Sequence, residues 1–189
     1  MIQYILPFLI YVLLPLLGGF WVYLLTILLV GGLLAFYWQA YKVKTRLDLL
    51  TVVSGALIFG FWILLKDFEL MKIESFVPGN LFEVGFKLLA MSTVVPAIEE
   101  IFTRGFLIRY FAAKDWHKVE VGRFTWLSFI VTVLFFGFSH NRWLAGLVVG
   151  VILNLLFYRT KRLGNCIVAH SIANLLLGLY VIFTQSWLW

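Results

Sequence analysis

The sequence predicts an all-α protein, a polytopic transmembrane bundle of about seven helices with its site inside the membrane. Three observations carry this reading. The chain is 63% hydrophobic and only 13% charged over 189 residues, with a mean hydropathy of +1.00. A soluble domain of this size needs a polar, wetted shell that such a composition cannot supply. The apolar runs are continuous rather than alternating, which argues against a transmembrane barrel. The charged residues fall into short gaps between runs long enough to cross a bilayer.

Residues 2–38 are too long for one span and divide at Gly18–Gly19 into two helices. The gap "QAYKVKTRLD" follows, then a third helix over 49–65 and the mixed-charge loop "KDFELMKIESFVPGN". A fourth, long segment runs from about 81 to 111, a fifth over 124–140, a sixth over about 144–158 and a seventh over 166–185. The N-terminus has no basic leader region and no cleavage pattern, so it reads as a retained first helix. Residues 1–80 carry no diagnostic motif, whereas 81–189 hold every polar cluster of interest, and the whole is expected to form one integrated membrane domain.

Charge sets the expected topology. A net charge of +6 could suit nucleic acid, yet the basic residues sit in the gaps between spans, which is a membrane pattern rather than a nucleic-acid one. Lys42, Lys44, Arg46, Arg109, Lys114, Lys118, Arg123, Arg159, Lys161 and Arg162 fall at one end of the expected bundle, and Lys66, Lys72 and Arg142 at the other. The positive-inside rule then puts the N-terminus in the cytoplasm, in a multi-pass cell-membrane protein. Tryptophans near segment ends, such as Trp187 and Trp189, read as interface anchors. Gly146 and Gly150 form a GxxxG that predicts close helix packing. The single cysteine, Cys166, excludes an internal disulfide and reads as an apolar residue near a helix start. His117 reads as an exposed loop residue.

Three polar clusters interrupt the apolar helices: "EEIFTR" (99–104), "FGFSH" (136–140) and "HSIAN" (170–174). Ionisable groups inside a bilayer are expensive and mark function by default. Residues four apart share a helix face, so Glu100 and Arg104 stack as an ion pair while Glu99 points elsewhere. A carboxylate so released suits a general base acting on water. Pro96 removes a backbone hydrogen bond to Ser92 and should kink or open the helix just before Glu99. His170 and Asn174 share a face and could stabilise an oxyanion or ligate a metal. Phe136 lies one turn behind His140 and shapes the pocket. At roughly 1.5 Å per residue, Glu99 lies about 15 Å from the basic end, His170 about 8 Å and His140 about 25 Å. A shared cavity therefore needs tilt or a kink.

The ordered set EExxxR, FxxxH and HxxxN (Glu99-Glu100-Arg104, Phe136-His140, His170-Asn174) resembles the CPBP family. That family holds CAAX prenyl proteases of the Rce1 type together with bacteriocin-processing and immunity proteins. The resemblance covers about residues 81–180 and points to a short bacterial-type member in the inner membrane. It implies an intramembrane endopeptidase acting on a membrane-associated protein or peptide. Glu99 would activate water with the help of His140, His170 and Asn174 would stabilise the oxyanion, and Glu100, Arg104 and Phe136 would support the site. No HExxH motif is present, and a divalent metal such as zinc, if one is used, would be held by Glu99, His140 and His170. The alternatives are a non-enzymatic immunity or assembly factor that keeps the family core, and an ion or proton relay. A transporter reading is weakened by the lack of an inverted repeat.

Overall fold

The computed structural model describes residues 1–19, 21–69 and 78–187. Its seven long helical segments are α1 (Ile2–Leu17), α2 (Trp21–Phe36), α3 (Leu49–Leu64), α4 (Leu81–Ala112), α5 (Trp126–Phe138), α6 (Trp143–Thr160) and α7 (Leu163–Thr184), and no strand occurs among the described residues. Three of them, α4, α6 and α7, are long and apolar enough to cross a membrane; the other four are apolar but shorter. The sequence predicts about seven transmembrane helices; among the described residues three helices reach the length of a span. Lys72 and Trp189, used above for topology and anchoring, lie outside the described residues.

Local chemistry explains the boundaries. Helix α1 ends in a 3-10 turn, Leu14–Leu17, and the chain reverses at Gly18 (φ 66°) and Gly19 (φ 73°), a conformation open to glycine because it lacks a Cβ. Asp48 caps α3 by accepting from the Thr51 amide at 2.9 Å and its hydroxyl at 2.7 Å. Asn80 caps α4 through the Glu83 amide, and the Glu83 carboxylate reaches back to the Gly79 amide at 2.8 Å. This reciprocal exchange satisfies donors that a helix start leaves unpaired. Thr125 does the same for α5 through the Ser128 amide.

Two boundaries differ from the sequence reading. Helix α5 stops at Phe138, so His140 lies in the turn beyond it and not on its last helical residue. Helix α7 begins at Leu163, three residues early, because its first turn is pinned to the 44–48 loop. There the Gly164 amide donates to the Lys44 carbonyl at 3.0 Å, and the Asn165 side chain pairs with both backbone groups of Arg46 at 2.9 Å. Cys166 is fully buried within this helix.

In lipid, helices associate through close packing and internal polar contacts rather than through apolar burial. The GxxxG of α6 shows the first device. A Cβ on Gly146 would stand 3.0 Å from Gly137 Cα of α5, and one on Gly150 would stand 3.3 Å from Val133 Cα. A side chain at either glycine must push the two helices apart. Gly55 plays the same part between α3 and α7, where an added Cβ would meet the Ala169 carbonyl at 2.7 Å. Aromatic stacking seats α1 on α4, with the Phe8 and Phe102 rings 3.8 Å apart and nearly parallel.

Helix α4 runs unbroken past Pro96. The opening expected there takes the form of a π-helical turn, Ala90–Val94, directly before the proline. A second π-helical stretch, Ile101–Leu107, follows Glu100. Such wider turns accommodate an extra residue and recur at functional positions. Here they flank the glutamate pair on both sides.

Candidate active site

Glu99 and Glu100 sit between the two wide turns and face different partners. Glu100 Oε1 accepts from Arg104 Nη1 at 3.1 Å, and both side chains are fully buried. The guanidinium is held on every edge: Nε donates to Asn154 Oδ1 at 3.1 Å, Nη2 to the Gly150 carbonyl at 3.3 Å, and its face lies 4.6 Å from the Phe136 ring centroid. Asn154 in turn donates to Thr132 Oγ1 at 2.8 Å, linking α4, α5 and α6 through one polar chain. A buried guanidinium is tolerated in such a place only when its donors are matched in this way.

Glu100 also does something the sequence did not suggest. The oxygen that meets Arg104 lies 2.9 Å from His170 Nδ1. The ion pair therefore anchors a histidine as well as neutralising itself.

Glu99 is not free, as the sequence reading had it. Its Oε1 accepts a 2.8 Å hydrogen bond from the Tyr11 hydroxyl of α1. Its Oε2 has no hydrogen-bond partner among the described residues and faces His140 Nε2 at 3.8 Å and His170 Nε2 at 3.9 Å. The three groups that depth arithmetic held apart thus meet at one carboxylate oxygen. His140 gets there because its turn folds back onto α5, with Nδ1 2.7 Å from the Phe136 carbonyl. The Phe136 ring packs between, its centroid 4.6 Å from that of His140 and 5.7 Å from that of His170.

Each histidine directs Nδ1 at an oxygen that accepts, a backbone carbonyl for His140 and a carboxylate for His170. Nδ1–H is therefore the assigned tautomer in both, which leaves two Nε2 lone pairs and Glu99 Oε2 converging on one point. Water, with two hydrogens to give, suits such a cluster. A tetrahedral zinc with bonds of about 2.0–2.1 Å would draw its ligand atoms to within about 3.3 Å of one another, closer than the separations here. Among the described residues no group of three histidine, cysteine or acidic side chains is arranged to hold a metal ion.

Asn174 is tied to α4 by one of its two amide hydrogens. It shares the face of His170, but its Nδ2 donates to the Met91 carbonyl at 2.8 Å. That carbonyl belongs to the first π-helical turn of α4, so Asn174 fastens α7 to the widened segment and has a single amide hydrogen left for the cavity.

The cluster lies on the wall of a cavity of about 250 Å³ whose lining includes Trp62, Met91, Asn141, Arg142, Leu177 and Trp187. Trp187, read as an interface anchor, is thus a lining residue. A second cavity of about 210 Å³ lies on the α1 side and is lined by Phe8, Pro15, Thr103 and Ser139. Tyr11, Glu99 and Phe136 border both. His117 is exposed and remote, stacked on Trp116. The sequence reading missed Tyr11, Asn154 and Arg142. Asn154 carried a signal, since it is the one amide in the apolar run of α6; Tyr11 carried none.

The model of a family described as Type II CAAX prenyl endopeptidase Rce1-like matches residues 81–176. That stretch holds all seven residues of the three motifs. UPF0177 protein YbdI of Lactococcus lactis subsp. lactis (strain IL1403) is 28% identical over 112 residues, which is 57% of this chain and 53% of that protein. The chain spans about half the length of this curated relative. No solved structure matches. With half of the chain, from the start of α4 to past Asn174, matched to that model, the protein belongs to the Rce1-like CAAX prenyl endopeptidase family.

Proposed function

We propose that the protein is an intramembrane endopeptidase that hydrolyses a peptide bond of a membrane-associated protein. The observation that carries this reading is the meeting of Glu99 Oε2 with the Nε2 atoms of His140 and His170 at 3.8 and 3.9 Å. A water molecule bound there donates to Glu99 and to His140. Its oxygen attacks the peptide carbonyl carbon while one proton passes to Glu99 Oε2. The carbonyl oxygen becomes an oxyanion.

The two histidines differ in what stands behind them. His170 has the Glu100 carboxylate at Nδ1, which stabilises an imidazolium in the manner of a serine-protease aspartate. With a proton taken up from solvent at Nε2, His170 donates to the oxyanion, joined by the remaining amide hydrogen of Asn174. His140 has a neutral carbonyl at Nδ1 and is better suited to orienting the water. Collapse of the intermediate breaks the C–N bond, the proton held by Glu99 passes to the leaving nitrogen to give an amine, and the other fragment leaves as a carboxylic acid that loses its remaining water-derived proton to solvent.

The test is Glu99→Gln in purified protein. Peptide cleavage should fall by roughly 10²–10⁴-fold, the usual weight of a general base, with the melting temperature unchanged. Turnover at the wild-type rate would refute the assignment.

A further inference from the structure

Among the described residues, Arg142 is the one charged side chain at the cavity, outside the ion pair and the catalytic cluster, that is nine-tenths buried with an unmatched donor. It follows His140 by two residues, lines the same cavity and is 6% exposed. Its Nε makes a long 3.4 Å contact with Glu69, whose side chain is 30% exposed, and its Nη1 is buried with no hydrogen-bond partner among the described residues. Arg104 shows the contrast, since all three of its nitrogens are engaged. A guanidinium offers a planar fork of donors that fits a carboxylate, and a buried one left partly unmatched is costly unless a ligand completes it. The facing helix α3 contributes the apolar Ile58, Phe59 and Trp62 to the lining, and Lys87 of α4 adds a second buried cation to the same cavity.

We propose that Arg142 is the carboxylate-binding subsite of this cavity, so that the bound peptide presents a carboxylate at one end of the cavity while its scissile bond lies at Glu99. This rests on the endopeptidase reading and adds to it a substrate class: an apolar peptide whose recognition requires a carboxylate. Two groups supply that chemistry, a free C-terminus and the side chain of Asp or Glu.

The experiment uses the full chain in detergent with a library of N-acylated apolar heptapeptides in three forms: free acids, C-terminal carboxamides, and carboxamides carrying one internal Asp or Glu. Cleavage is read by mass spectrometry, and binding by the thermal shift of the Glu99→Gln protein, which does not depend on turnover. Wild type should prefer one carboxylate-bearing form over the plain carboxamides by roughly tenfold or more. Arg142→Gln should abolish that preference by raising KM, and Arg142→Lys should retain part of it. A preference for free acids assigns the C-terminus as the source, and one for internal acids assigns a side chain; either supports the proposal. If no peptide is cleaved but carboxylates still shift the melting temperature through Arg142, the endopeptidase reading fails and the subsite stands. Equal handling of acids and carboxamides overturns the proposal. So does a uniform loss in Arg142→Gln with a lowered melting temperature, since Arg142 is then only a structural partner of Glu69.

Discussion

At one end of the bundle, where α3 and α7 begin, the Asn165 side chain accepts from the Arg46 amide and donates to the Arg46 carbonyl and to the Thr51 hydroxyl. Alongside, Tyr41 donates to the Gln3 carbonyl at 2.7 Å, the Tyr4 ring stacks on that of Phe106, and Trp116 meets both edge-on. At the other end, the cavity opens between α3, α4 and α7, and some of the polar atoms around it have no hydrogen-bond partner among the described residues. Of the five buried side-chain atoms with no hydrogen bond among the described residues, three belong to Glu99, Glu100 and Arg142. A membrane bundle needs at least one region where polar groups are matched, because unmatched ones in lipid are costly. The comparison teaches that matched polar contacts tie the helices together at one end, while three of the five unmatched buried atoms belong to residues at or beside the cavity.

The largest effect should come where the two kinds of region touch. Glu100 neutralises Arg104 and anchors His170, so Glu100→Gln strands a fully buried guanidinium and loosens a site residue together. Breaking a buried pair costs roughly 3–5 kcal/mol, and a clear fall in melting temperature with loss of cleavage is expected. A melting temperature equal to wild type would show that Glu100 serves only the site. Tyr11→Phe should sharpen the same boundary from the other side. It removes one hydrogen bond to a carboxylate at the cavity wall, and such bonds are worth about 1.5–3 kcal/mol. Cleavage should fall roughly ten- to a hundredfold, mainly in kcat, with little change in melting temperature, because Glu99 remains present but loses its fixed orientation. An equal fall in both quantities would make Tyr11 a structural strut.

How much of this was legible in the sequence depends on the range of the interaction. Helix spans and the pairing of Glu100 with Arg104 follow from periodicity and i,i+4 spacing, which are local. The convergence of His140 with Glu99 did not follow from depth arithmetic. That arithmetic assumed straight helices at constant rise, whereas α5 ends early, the His140 turn folds back on Phe136, and α4 widens at Ala90–Val94. Tyr11 was illegible for a different reason. It is 88 residues away from Glu99, in a helix whose sequence is uniformly apolar, and only tertiary packing decides which of its rings reaches the site. Asn174 was read correctly as sharing a face with His170, but the Met91 carbonyl that takes its amide proton could not be known without the fold.

The tied end offers the complementary test. Asn165→Ala removes the hydrogen bonds of a fully buried side chain to Arg46, Thr51 and Asp48 and leaves the backbone groups of Arg46 without those partners. The loss should be roughly 2–3 kcal/mol in stability, read as a lower melting temperature, with cleavage per folded molecule unchanged. A selective loss of activity would mean that the two ends are mechanically coupled through α7.

The smallest effect concerns Asp48, the cap of α3 at that same end, and it is visible only as a pH dependence. Hydrogen bonds from the Thr51 hydroxyl and amide hold the Asp48 carboxyl below the ordinary aspartate range, with Arg46 and Arg162 adding to the effect. A group whose folded pKa is depressed stabilises the fold above its unfolded pKa, about 3.9, and that contribution is lost as the pH falls through the folded value. Comparing melting temperatures of wild type and Asp48→Asn across pH isolates this term, since asparagine keeps a capping oxygen but does not titrate. The difference should be constant from neutral pH down to about 5 and shrink below about 4. A difference that instead changed between pH 6 and 8 would point to a histidine rather than to Asp48 as its origin.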